Sequence, residues 1–234
     1  MSTVFISGAT GYLGRPLSEA LIVAGYNVYA LTRPQSIRKL PVGCTPVIAD
    51  ALDASTFVNA VPAGSTFIHL TGVSHPSPAK AAEFRTVDQT SFEASLKAAR
   101  SANVKHFIYV SVAQPAPVMR AYTKVRRECE LLLVQSGLNA AILRPWYVLG
   151  PGHRWPCVLI PIYKLVEQIP AWREIALRLG LVTHQQMLRA LIQATVNARE
   201  GIVYCDVPAI RAANCVTASA LPSVLSPARR DLSA

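Results

Sequence analysis

Charge is scarce in this chain of 234 residues: Asp, Glu, Lys and Arg make up only 15% of it, where an ordinary soluble domain carries about 25%. With 51% of residues from the AVILMFWYC set, the composition excludes a disordered chain and a coiled coil. The five cysteines (Cys44, Cys129, Cys157, Cys205 and Cys215) contain no Cys-x-x-Cys pair, so neither a disulfide framework nor a metal site is expected. No signal-peptide pattern opens the sequence, and a cytoplasmic location is expected. The longest apolar stretch, residues 157–169, is interrupted by Lys164 and Glu167 and falls short of the ~18 residues a membrane span needs. No run of five like charges occurs, and no zinc-finger or RNA-binding signature. Nucleic acid is therefore not expected as a partner, although the net charge is +10. That basic balance suits a phosphate-bearing small molecule.

What the sequence does have is alternation. Residues 3–7 (TVFIS) form a short apolar run that stops at Gly8 and predicts a buried strand. A helix follows, with Leu13, Leu17, Ala20, Leu21 and Ala24 on one face, Pro16 in its first turn and Gly25 closing it. Further strands are predicted at 27–32, 45–49, 67–70, 107–111 and 139–143, with helices at 79–102 and 118–136. Strands alternating with helices predict an α/β fold, a doubly wound parallel sheet covered on both faces. Prolines 145, 151, 156, 161 and 170 then cut the chain into short pieces. The helical period returns at 184–198, where Thr183 and Gln186 form a capping-box pattern, and residues 201–207 predict a late strand. Residues 145–208 read as a small C-terminal lobe of one domain spanning 1–208. The aperiodic stretch 209–234 reads as a flexible tail.

Between the first strand and first helix lies G-x-x-G-x-x-G: Gly8, Gly11 and Gly14, with Thr10, Tyr12 and Leu13 between them. Glycines there permit a tight turn and let backbone approach a pyrophosphate at the helix N-terminus. The plain alternative is a turn with a helix cap. The strand before, the helix after and the place at the head of a βαβ series favour a dinucleotide.

The opening VFISGATGYLGRPL resembles the fingerprint of the short-chain dehydrogenase/reductase superfamily, in its extended and atypical NAD(P)-binding branch, epimerase/dehydratase-like or NmrA-like. The likeness continues through Ala49-Asp50-Ala51-Leu52-Asp53, where Ala49 stands for the usual Gly, through FIHLTG (67–72), VKHFIYVSV (104–112) and AAILRPWYVLGPG (140–152). It covers residues 1–155 and, more weakly, the chain to 208. The resemblance implies a Rossmann fold, with Asp50 and Ala51 near the adenine and Leu70, Thr71 and Gly72 along the cofactor. It puts Arg144 and Pro145 behind the nicotinamide end. The second strand ends Leu31-Thr32-Arg33 with no acid to take the ribose hydroxyls of NAD. Arg33 offers a fork of donors suited to a 2′-phosphate, and Thr10 can add a hydroxyl, so NADP is the expected cofactor and NAD the alternative. Otherwise Arg33 is a solvated surface residue.

The superfamily's chemistry, by the same resemblance, uses a Tyr as general acid/base, a Lys four residues later and a Ser from the preceding strand end. Ser111 occupies that strand end. With Tyr122 at the Tyr, residues Glu130, Leu132, Leu133, Ser136, Gly137 and Leu138 fall in register without a gap. The expected Lys is then Arg126 and the expected Ser beside it Val125. An Arg can stabilise a phenolate, and is expected to lower the Tyr122 pKa, but it cannot relay a proton at neutral pH. The link from Ser111 to Tyr122 is also short, with Pro115 and Pro117 in it. Outside catalysis, Tyr122 would be a packing residue at the pocket floor. Trp146, Tyr147, His153 and Trp155 could line a substrate pocket. His69 reads as a satisfied core histidine, and Lys124, Arg126 and Arg127 as a solvated helix face.

These readings point to an NAD(P)-dependent oxidoreductase acting on a carbonyl or alcohol of a small apolar substrate. The alternative is a non-catalytic NAD(P)-binding redox sensor or scaffold of the NmrA-like kind, favoured by Arg126 in place of Lys. A third reading is peripheral membrane contact through residues 160–181. The oligomeric state is left open.

Overall fold

A computed structural model of the chain describes residues 2–114, 119–150 and 179–213. Seven strands form one parallel sheet: β1 (Thr3–Ser7), β2 (Asn27–Thr32), β3 (Cys44–Ile48), β4 (Thr66–His69), β5 (His106–Val110), β6 (Ala140–Arg144) and β9 (Ile202–Asp206). Their order is β3-β2-β1-β4-β5-β6-β9, so the chain winds outward from β1 in both directions. This is the doubly wound Rossmann arrangement, in which ligands bind beyond the carboxyl ends of the strands where the winding reverses. A separate two-stranded parallel ribbon joins β7 (Tyr147–Leu149) to β8 (Leu181–Thr183).

Alternation along the strands divides the core into two chemically distinct layers. Val4 and Ile6 of β1 face α1 (Gly14–Val23), α5 (His184–Val196) and α6 (Val207–Ala212), in an aliphatic layer with Leu17, Leu21, Ile68, Ile108, Leu191 and Ile210. Phe5 points the other way. It pairs in register with Phe67, and Phe67 with Phe107, at ring-centroid distances of 5.0 and 5.2 Å. This aromatic layer packs under α3 (Thr90–Ser101) and α4 (Arg120–Gln135) through Phe92, Cys129 and Leu133.

The capping box of α5 is present: Gln186 N–H donates to Thr183 Oγ1 at 3.2 Å, and Thr183 N–H to Gln186 Oε1 at 2.9 Å. The helix expected over 79–102 is interrupted. A short α2 (Ala81–Glu83) runs into a π-helical turn, Phe84–Gln89, before α3 begins. Such turns widen the helix by one residue and re-aim the side chains they carry; here Phe84 and Asp88 are sent inward. The helix expected from 118 starts at Arg120, after Met119 with φ 58°. At the C-terminus, residues 209–212 are not tail but part of α6, because Ile210 is fully buried. Within 145–208, β9 completes the main sheet and α5 packs on its aliphatic layer, leaving β7 and β8 as the separate ribbon. Residues 115–118, 151–178 and 214–234 lie outside the described residues. With them go the readings placed on Pro115, Pro117, His153, Trp155, Cys157, Cys215, all but the last three residues of the 160–181 stretch, and the tail from 214. No described helix is long and apolar enough to cross a membrane.

Candidate functional site

The loop between β1 and α1 is shaped by its glycines. Gly8 has φ +80°, and a Cβ there would meet the Leu70 carbonyl carbon at 2.7 Å, so only glycine lets β1 and β4 release their chains side by side. A Cβ on Gly14 would strike the Gly8 carbonyl oxygen. A Cβ on Gly11 would meet, among the described residues, only Gly8 O, at 3.2 Å. The N-terminus of α1 has no side-chain cap; the Arg15 N–H is taken by the Gly11 carbonyl at 3.1 Å and Pro16 has none, which leaves the Gly14 N–H for a ligand.

Two clefts flank this loop and share Gly8, Gly11, Leu70 and Gly72. The larger, about 410 Å³, is lined by Thr10, Thr32, Arg33, Ser36, Asp50, Ala51 and Thr71. Arg33 is exposed and makes no ion pair among the described residues. Asp50 Oδ1 accepts the Leu52 N–H at 2.9 Å, and Thr71 Oγ1 is buried without a partner among the described residues. The second cleft, about 330 Å³, is lined by Tyr12, Leu13, Gly14, Val73, His75, Val110, Tyr122 and Arg126. An elongated groove, an uncapped helix end in its middle and an unpaired cation at one end together fit a dinucleotide. Of the residues assigned from sequence to the cofactor, all but Arg144 and Pro145 line these clefts.

Arg144 and Pro145 do not. Arg144 turns its guanidinium to Glu130, with Nε 3.1 Å from Oε1, and stacks 4.2 Å from the Tyr204 ring. Pro145 is buried and its carbonyl accepts the Ala113 N–H at 3.0 Å. Both hold β6 to its neighbours. Tyr12 at the loop tip lies edge-on to His184 at the start of α5, ring centroids 4.5 Å apart, and His184 Nε2 bonds the Tyr12 carbonyl oxygen at 3.0 Å. Tyr12 Oη rests against Gly150, which leaves no room for a Cβ there.

In the second cleft, Tyr122 is half-buried between the Phe84 ring (5.0 Å) and the Arg126 guanidinium (5.0 Å from the ring centre). Burial raises its phenol above the usual range, with Asp88 adding to the rise and Arg126 opposing it. Arg126 pulls this pKa down as expected, but desolvation outweighs it and the net direction is upward. Ser111 is buried behind Val110, its Oγ without a partner among the described residues, and it does not line either cleft. Arg126 is not on a solvated face. It is 8% exposed, donates to the Val110 carbonyl at 2.9 Å and to Tyr109 Oη at 3.4 Å, and forms an ion pair with Asp88. Lys124 and Arg127 are exposed, as a solvated face requires. Trp146 packs against the aliphatic core rather than a pocket. His69 is a core residue, as expected, but only partly satisfied: Nδ1 lies 3.0 Å from both Ser7 Oγ and Ser95 Oγ, while Nε2 is buried with no hydrogen-bond partner among the described residues.

Sequence reasoning missed Asp88, which also accepts the Val73 N–H at 3.1 Å. The signal was there: Phe84, Asp88 and Phe92 recur at intervals of four, so a carboxylate sits in an apolar stripe and demands a buried counter-charge. Among the described residues no group of three or more His, Cys, Asp or Glu side chains could hold a metal ion.

The fold and groove define a dinucleotide-binding protein, and the sequence profile described as NAD(P)H-binding matches residues 8–153. The chain belongs to that NAD(P)H-binding family. It is 30% identical over 212 residues to the ceramide reductase of Caulobacter vibrioides, covering 88% of this chain and 62% of that protein. It is also 30% identical over 178 residues to a 3-diazoavenalumate denitrifying reductase from Streptomyces, covering 64% of this chain and 57% of that protein. The chain therefore spans less than two thirds of the length of these relatives. Among solved structures, the fold resembles Bordetella bronchiseptica WbmH in complex with NAD+, with TM-score 0.65, 19% identity and coverage of 88% of this chain and 76% of that one. The Bacillus cereus UDP-N-acetylglucosamine 4-epimerase gives TM-score 0.65 at 15% identity, covering 87% and 76%.

Proposed function

We propose that the protein is an NADP(H)-dependent cytoplasmic reductase of a carbonyl group on a small, largely apolar substrate, with Tyr122 as the proton donor. The observation that carries this reading is that Tyr122 and the Gly8, Gly11 and Gly14 backbone line one cleft. The loop and the uncapped start of α1 would hold the pyrophosphate, Leu70, Thr71 and Gly72 the span between the clefts, and Asp50 and Ala51 the adenosine end. Arg33, with no ion pair among the described residues and no acid at the end of β2, favours a 2′-phosphate and hence NADP over NAD. The bound cofactor supplies hydride. Tyr122 supplies the proton: its phenol is protonated at neutral pH, as reduction requires, and burial makes it a weaker acid than a free tyrosine. Ser111, buried and outside both clefts, takes no part in this reading. The reductase names of the relatives support the same class of reaction.

A second reading, a non-catalytic NAD(P)-binding sensor or scaffold, is favoured by one observation: both terminal nitrogens of Arg126 are taken, by Asp88, Val110 and Tyr109. Replacing Tyr122 with Phe separates the two. Under the reductase reading, turnover of an active carbonyl substrate falls by about 10²–10⁴ while NADPH affinity stays within a few-fold. A parent without activity across a broad carbonyl panel favours the sensor, and parent activity that survives Tyr122→Phe removes Tyr122 as the acid.

A further inference from the structure

Asp88 and Arg126 are opposite charges taken out of water directly beneath the groove, with side chains 1% and 9% exposed. Burying such a pair carries a large desolvation penalty, repaid only when the remaining donors and acceptors are met. Most of them are met by the walls of the site itself, while Arg126 Nε is buried with no partner among the described residues. One carboxylate oxygen of Asp88 takes Arg126 Nη2 and the other takes the Val73 N–H, while Arg126 Nη1 donates to the Val110 carbonyl. Gly72 is fitted to the pair: a Cβ there would lie 2.8 Å from Arg126 Nη2 and 2.9 Å from Asp88 Oδ1. Gly72 lines both clefts, and Val73, Val110 and Tyr122 line the second. The pair thus braces the backbone strip that joins the two halves of the groove.

We propose that Asp88 is the positioning residue of this site: it holds Arg126 beneath Tyr122 and pins the backbone of Gly72 and Val73, so that the phenol sits beside a neutral ion pair rather than a free cation. This deepens the reading of Tyr122 as proton donor and rests on it. A lone guanidinium 5.0 Å from the Tyr122 ring would favour phenolate and drain the acid. The Asp88 carboxylate opposes that pull. The other groups facing Tyr122 do little to replace it: Tyr109 on β5 and Cys129 on α4 are held neutral by burial, Phe84 is apolar, and His75 lies across the cleft.

The test reads tyrosinate absorbance in the cofactor-free protein within milliseconds of an alkaline pH jump, before unfolding contributes. Asp88→Asn is expected to move the ionisation of one tyrosine down by about one pH unit or more, and Arg126→Gln to move it up. Both shifts vanish when Tyr122→Phe is added. The double variant Asp88→Asn, Arg126→Gln removes both charges, recovers most of the thermal stability that either single change loses, and returns the ionisation close to the parent's. If Asp88→Asn alone fails to fold, the double variant and Arg126→Gln carry the comparison. Unchanged ionisation, shifts of the same sign in both single variants, or shifts that persist without Tyr122 overturn the proposal. Because no cofactor or substrate is present, a parent that fails to bind NADPH would defeat the reductase reading while leaving this result to stand or fall separately.

Discussion

Arg144 grips Glu130 with two parallel hydrogen bonds, Nε to Oε1 at 3.1 Å and Nη2 to Oε2 at 2.5 Å, and so ties the end of β6 to the middle of α4. Asp206 at the end of β9 lies 3.9 Å from the same guanidinium, and Gln114 Nε2 donates to Glu130 at 3.1 Å. Glu130 is 4% exposed, so removing its cation strands a buried carboxylate. Arg144→Gln is expected to cost about 3 kcal/mol of stability, the lower end for breaking a buried pair, because Arg144 itself keeps some contact with water. NADPH affinity should stay within about twofold. Urea unfolding and a fluorescence titration on the same variant check both halves. A large loss of affinity at unchanged stability would return Arg144 to the cofactor site.

Arg33 lines the larger cleft with no ion pair among the described residues to hold it elsewhere. If it meets a 2′-phosphate, Arg33→Ala weakens NADPH by about 1.5–3 kcal/mol, the scale of a charge-assisted hydrogen bond, and leaves NADH nearly unchanged. Paired titrations with the two cofactors decide. Equal losses would show that Arg33 does not discriminate.

Two buried histidines set an acid limit on the fold. Burial, with Arg126 nearby, pushes His69 down to about 3, and burial with Lys105 pushes His106 to about 4. In the unfolded chain both titrate near 6.5. The unfolded state therefore takes protons first as the pH falls. Stability is full above about pH 6.5 and is lost between there and pH 4 to 3, by up to about 1.4 kcal/mol per pH unit for each histidine. His106→Gln should flatten this slope by one histidine's share. Urea midpoints at pH 7, 6 and 5 that fall equally in parent and variant would contradict it.

Much of this was legible in the sequence because parallel strands buried on both faces are largely apolar runs, as in residues 3–7 and in 107–111, where the strand runs from His106 to Val110. The glycine loop was legible because its three positions each answer a local steric demand. What escaped depends on partners distant in sequence. Arg126 was found by register, but only Asp88, 38 residues away and re-aimed by the π-helical turn, turns it from solvent into the core. Arg144 stood in a motif that resembles a cofactor wall, and its engagement by Glu130 could be seen only once β6 and α4 were packed together. The three-residue strands β7 and β8 carry too few side chains to show a period.

The central claim is that the groove around Gly8, Gly11 and Gly14 holds NADP(H), and NADPH titration of Gly11→Val tests it most directly. A side chain on Gly11 meets, among the described residues, the Gly8 carbonyl oxygen at 3.2 Å, a tight contact but far less severe than at Gly8 or Gly14, so the valine projects into the groove at a smaller cost to the fold. Gly14→Ala is the contrast, since its methyl group meets the backbone of Gly8 and Ala9 and should lower the melting temperature. The account predicts a folded Gly11→Val protein with no saturable change in nicotinamide fluorescence, beside a parent that binds. A folded Gly11→Val protein with undiminished NADPH affinity would contradict it.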